Sequence, residues 1–140
     1  MFKPILLMLS LCAAAAQAEW LTIMGDPANA QVNTVQVDPV PVAVSGEERT
    51  LRVRVNRSAP RVNRDGIAYR SFDATVLFDC AVNTARYVDI SFYSQPAWSG
   101  TVTPVTLAPA TMPRWMLFRD IEPNPKDRII HAACGHVGRL

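Results

Sequence analysis

Apolar and polar residues alternate along most of this chain with a period of two. Over residues 50–56, Leu51, Val53 and Val55 fall on one side and Arg52, Arg54 and Asn56 on the other, the pattern of a half-buried antiparallel strand. Residues 71–80 repeat it: Phe72, Ala74, Val76, Phe78 and Cys80 share a face, with Leu77 the one exception to the polar side. A short turn at 81–85 predicts antiparallel pairing with 86–94, where Val88, Ile90 and Phe92 form the apolar face. Residues 19–24 and 101–107 read as further strands. Residues 32–44 are extended but carry Pro39 and Pro41, which cannot donate to a sheet ladder, so they predict an edge strand or two short ones. Residues 45–47 form a hairpin turn. Residues 59–68, with Pro60 and Asp65-Gly66, read as a polar loop, and 95–100 as a turn with Trp98 at its tip.

The period changes near the C-terminus. Asn124 suits a helix N-cap, Pro125 the first helical position and Gly135 the position after the end. Between them Ile129, Ile130, Ala133 and Cys134 have the spacing of one helix face. The expected fold is α+β: an antiparallel sheet of about five to six strands with one short C-terminal helix packed on it.

The first eighteen residues stand apart. Lys3, an apolar run from 5 to 16 and Ala16-Gln17-Ala18 make a secretory signal peptide, too short to span a bilayer. Cleavage after Ala18 leaves a single domain over 19–140, with no second apolar stretch long enough to cross a membrane. Cys12 is not expected to carry a lipid anchor, because Leu11 replaces the small residue such a site needs. Export is expected, with periplasm and cell surface both open. Removing 1–18 also leaves two cysteines, Cys80 and Cys134, and an even pair in an exported chain reads as a disulfide. Closing a loop of that length contributes roughly 4 kcal/mol by the chain-entropy estimate. A helix on the core side of the sheet would bring both cysteines together.

The mature chain has thirteen basic and twelve acidic residues, which argues against nucleic acid as a partner. Placement is more telling than the balance: Arg49, Arg52, Arg54, Arg57, Arg61, Arg64 and Arg70 cluster within 22 residues. Guanidinium groups pair bidentately with sulfate, phosphate or carboxylate, so Arg52, Arg54, Arg57, Arg61 and Arg64 are candidates for contact with a protein or an anionic glycan. The competing reading is a solvated face whose arginines pair internally with Glu47, Glu48, Asp65, Asp73 and Asp79. Trp98 is a further contact candidate, or folds back and is buried; Trp20 and Trp115, inside apolar runs, read as core. His131 and His136 flank Cys134 but fall on different helix faces, and a metal site needs three or four ligands. Nucleophile-elbow, zinc-protease, P-loop and dinucleotide motifs are absent from the sequence. No catalytic residue, metal or cofactor is assigned.

The segments FDCAVNTARYVDISFYSQPAWSG, PRWMLFRDIEP and IIHAACG resemble the surface-adhesin protein E family of bacterial envelope proteins. The matching positions are Asp79, Cys80, Arg86, Tyr93, Ser94, Gly100, Trp115, Pro123, Cys134 and Gly135, with Trp20 and Val37-Asp38-Pro39 upstream. The resemblance implies an antiparallel sheet with a disulfide-held C-terminal helix, attachment to host matrix or plasma proteins, and homodimers. The reading is an exported, non-enzymatic binding module in the envelope of a Gram-negative bacterium. The alternative is a periplasmic structural or inhibitor-like protein acting on another envelope protein.

Overall fold

The computed structural model describes residues 19–107 and 112–135; the signal segment, Cys12 and His136 lie outside them. Eight strands form a single sheet: β1 (Leu21–Met24), β2 (Thr34–Val37), β3 (Ala43–Ser45), β4 (Glu48–Val62), β5 (Ala68–Asp79), β6 (Thr84–Gln95), β7 (Ser99–Thr106) and β8 (Arg114–Trp115). The main path runs β1-β2-β4-β5-β6-β7, with β3 beside β4 and β8 beside β6, and every pairing is antiparallel. The count exceeds the expected five to six for two reasons. The proline-broken stretch resolves into β2 and β3, and Arg114–Trp115 adds a two-residue strand too short for any period to show.

One face of the sheet is the core. Val35, Val37, Leu51, Val53, Val55, Phe72, Ala74, Val76 and Phe78 are all buried, as the alternation requires. They pack against Met116, Phe118 and Ile121 and against Ile129, Ile130 and Ala133 of the helix α1 (Lys126–Cys134). In β6 the register slips where Thr75 and Val76 meet Asp89 and Tyr87. This bulge removes Val88 from the core face, so Ala85 and Tyr87 lie inward before it and Ile90 and Phe92 after it.

The helix begins one residue later than its sequence suggests: Pro125 is the N-cap, and Asn124 before it accepts the Lys126 N–H on Oδ1 at 2.8 Å and donates Nδ2 to the Leu117 carbonyl. Gly135 differs from the left-handed cap its sequence suggests, with φ −61°. A Cβ there would lie 2.7 Å from the His131 carbonyl oxygen, so close backbone approach, rather than a positive φ, favours glycine. The disulfide joins Cys80 and Cys134 with Cα atoms 5.6 Å apart, tying α1 to the end of β5. No helix among the described residues is long and apolar enough to cross a membrane.

Half of the expected polar loop at 59–68 is strand, and the turn is confined to 63–67. β4 and β5 pair again at Arg61↔Tyr69 and Val62↔Ala68, after an irregularity that begins at Asn56↔Ser71. Pro60 sits in that irregularity, where β2 has already ended and β4 has no ladder on that side to lose. The turn itself is held by Asn63, whose Oδ1 accepts the N–H groups of Asp65 and Ile67, both at 2.9 Å.

Candidate functional site

The arginines of β4 divide between two environments. Arg52 and Arg54 project from the outer face of the sheet, where the register aligns Thr22, Gln36, Arg54, Asp73 and Ser91 in one row. The row is hydrogen-bonded: Gln36 Nε2 donates to Thr22 Oγ1 at 3.0 Å, and Arg54 Nε donates to Gln36 Oε1 at 2.8 Å. Arg52 forms an ion pair with Asp73. Two indoles clamp Arg54, with its Cζ 4.3 Å from the Trp20 ring centroid and 3.9 Å from that of Trp98. Burial lowers the Arg54 pKa, the neighbouring Arg52 charge adds to this, and Asp73 opposes it. Burial likewise raises Asp73, against the pull of Arg52 and Arg54.

The Trp98 loop folds back onto the sheet. Trp98 donates its indole N–H to the Phe72 carbonyl at 2.9 Å and its backbone N–H to Ser71 Oγ, while Ser71 Oγ donates to the Gln95 carbonyl. Asn56 pins the same loop by accepting the Ala97 N–H, and its Nδ2 donates to the Ala30 and Val32 carbonyls. Both Trp20 and Trp98 are therefore half-buried covers for Arg54.

Beyond Asn56 the chain serves the other side of the sheet. Arg57 is only 5% exposed and donates Nη2 to Asp120 at 2.8 Å, and Arg61 reaches the same carboxylate at 2.6 Å. Partial burial works against Asp120 ionisation, but the Arg57 hydrogen bond and the Arg57 and Arg61 charges outweigh it and hold its pKa below the usual carboxylate value. Arg114, on β8, donates both Nη groups to Asp65 at 3.2 Å and so ties the hairpin turn to the segment after Met112. Arg64 and Arg119 are exposed and make no ion pair among the described residues. Val62 is 68% exposed, and Trp115, which lines a cleft with Arg64 and Arg119, is 45% exposed and so not core. The indole lies outward because β8 is short and its neighbour Met116 takes the buried position.

This end of the sheet thus gathers Arg57, Arg61 and Arg64 with Arg114, Trp115 and Arg119, three residues that the strand periodicity did not single out. Their signal was the PRWMLFRD stretch, in which basic residues bracket an apolar run. A cavity of about 340 Å³ lies beneath, reaching from Arg57 and Arg64 to Arg114 and Arg119. A second cleft, about 540 Å³, flanks the disulfide at the other end of β5, and its wall includes Gly135, the last described residue. Among the described residues no three His, Cys, Asp or Glu side chains meet as a metal-binding group.

The family model for surface-adhesin protein E matches residues 20–135. Among solved structures, protein E of Haemophilus influenzae is similar over 72% of this chain and 79% of that chain, at 18% identity and a TM-score of 0.40. Comparison with curated proteins gives no match. The matched span takes in all eight strands, the helix and both disulfide cysteines, and the chain belongs to the surface-adhesin protein E family.

Proposed function

We propose that the protein is an exported, non-enzymatic adhesin that attaches to host matrix or plasma proteins through the β4–β5 hairpin end. The observation that carries this reading is the exposed pair Arg64 and Trp115, a cation and an indole lining one cleft, with Arg61 exposed at the same hairpin end, on a chain of the adhesin family. Tryptophan and arginine dominate the energetics of protein interfaces, and isolated exposed apolar residues acquire meaning when they cluster. Anionic glycans would engage the same arginines. Arg54 and Trp98 support the sheet that presents this surface, because they are engaged with each other, Gln36 and Phe72, and Arg52 pairs with Asp73 on the same face.

The test is retention of the mature protein on a panel of immobilised matrix and plasma proteins and on heparin. Binding to a panel member that falls about tenfold or more in Arg61→Glu, Arg64→Glu, Trp115→Ala supports the reading, since loss of a few hot-spot residues is enough for that effect. Undiminished binding of that variant contradicts it. Protease shaving of intact cells checks the location: removal of the protein supports surface display. A protein left intact would favour a periplasmic partner instead. Sedimentation of the mature chain tests the homodimer that the family implies, a single species of monomer mass being the contrary result.

A further inference from the structure

The cleft at the hairpin end already holds an acid of its own. Among the described residues on its wall, Asp120 is the one carboxylate, beside Arg57, Arg64, Arg114 and Arg119. Its Oδ2 meets two guanidinium groups: Arg57 Nη2 donates to it at 2.8 Å, and Arg61 Nη2 lies 2.6 Å away. The two arginines hold it unequally. The Arg57 side chain is 6% exposed and fixes Asp120 from inside, whereas Arg61 and Asp120 are both open to solvent, at 43% and 41%. Asp120 keeps its charge at neutral pH: partial burial opposes ionisation, but the Arg57 hydrogen bond and the charges of both arginines outweigh it. This internal carboxylate shows which chemical group the cluster accepts. It also occupies Arg61 before any partner arrives. Arg114 is likewise taken, by Asp65, while Arg64 and Arg119 pair with no acid among the described residues.

We propose that the hairpin end receives an acidic segment of a partner protein, and that Asp120 competes with that segment for Arg61. The proposal rests on the adhesive reading above and names the chemistry of the partner. Carboxylates of the segment pair with Arg64 and Arg119, and Trp115, on the same cleft, packs against the apolar atoms between them. Full contact then requires Arg61 to leave Asp120, which stays on Arg57. Like charges at one site repel, so Asp120 weakens every acidic ligand and selects those with enough negative charge to displace it.

The experiment is fluorescence anisotropy of a labelled decaglutamate peptide at low ionic strength, with the mature wild type, Asp120→Asn, Arg61→Gln and the double variant. Asparagine keeps an acceptor for Arg57 and drops the charge. Asp120→Asn should bind about threefold to tenfold tighter, the size expected for one unit charge removed from a partly exposed site. With Arg61→Gln in place most of that gain should vanish, because the gain comes from releasing Arg61. An equal gain with and without Arg61 would reduce Asp120 to a distant charge and overturn the proposal. Weaker binding in folded Asp120→Asn, or no binding of millimolar peptide by either protein, would overturn it too. A second measurement needs no variant: saturating peptide should shift the Asp120 carboxyl carbon and Arg61 Nε–H resonances of the wild type, and the absence of both shifts would contradict the competition. A heparin fragment run in parallel tests the class of partner, since a gain with heparin and none with the peptide would replace the acidic protein segment by a sulfated glycan. No host protein is present, so a failed peptide titration leaves the adhesive reading standing. Undiminished retention of the Arg61, Arg64 and Trp115 variant removes that reading without touching the Asp120 and Arg61 cycle.

Discussion

Arg54 and Arg57 are three residues apart on one strand, yet they illustrate opposite uses of the same side chain. Arg54 lies between two indoles and donates to Gln36, in a row hydrogen-bonded from β1 to β4. Arg57 is more deeply buried and satisfies Asp120 while its Nε is left over. A hydrogen-bonded network holds a fold, whereas exposed cations are what a partner can use. The period of two separates them: Arg57 continues the inward face of Val53 and Val55, and Arg54 lies on the outer one.

The largest expected effect breaks the saturated side. Asn56 is buried and serves four backbone partners, so Asn56→Ala strands carbonyls of the β1–β2 connection and the Ala97 N–H. It should cost about 2–4 kcal/mol, read as a lower denaturant midpoint. Arg54→Ala removes two cation–π contacts and the Gln36 bond and should cost about 1–3 kcal/mol, with a change in Trp20 and Trp98 fluorescence. An unchanged midpoint in either variant would remove the claim that this face is structural.

Acid distinguishes the two faces by sign. The Asp120 pKa is depressed, so its pairing with Arg57 and Arg61 adds stability above the ordinary carboxylate range and loses it as pH falls through the folded value. The Asp73 pKa is raised, so its ionisation opposes folding and its contribution improves as pH falls. Melting followed from neutral pH down to about pH 3 should therefore show a shallower acid loss in Asp120→Asn and a steeper one in Asp73→Asn. The same slope in both would contradict the assignment. Smallest of all, Arg64→Ala should move stability by no more than about 0.5 kcal/mol, because its side chain is exposed and unpaired among the described residues.

Much of the fold was legible because alternation is a local signal. Leu51, Val53 and Val55, the Phe72-to-Phe78 face, the helix face and the disulfide pair all lie where the period puts them. Two features were not legible. The bulge at Val88 depends on how β5 and β6 align, which no single strand encodes. The extension of β4 past Pro60 depends on β2 having ended. The candidate site was half legible: Arg57, Arg61 and Arg64 were visible as a cluster, but a run of arginines does not reveal which strand face or end each one serves. Arg114, Trp115 and Arg119 reach that end only through β8 and the Arg114–Asp65 pair, both long-range in sequence.

The most direct measurement places Arg54→Ala and Arg64→Glu side by side in two assays, melting temperature and retention on the immobilised matrix or plasma protein that the wild type binds. The account predicts a crossed result: Arg54→Ala melts lower but still binds as a folded protein, and Arg64→Glu melts like the wild type but loses retention. Loss of binding in folded Arg54→Ala, with Arg64→Glu retained as wild type, would contradict it and move the contact surface to the outer face.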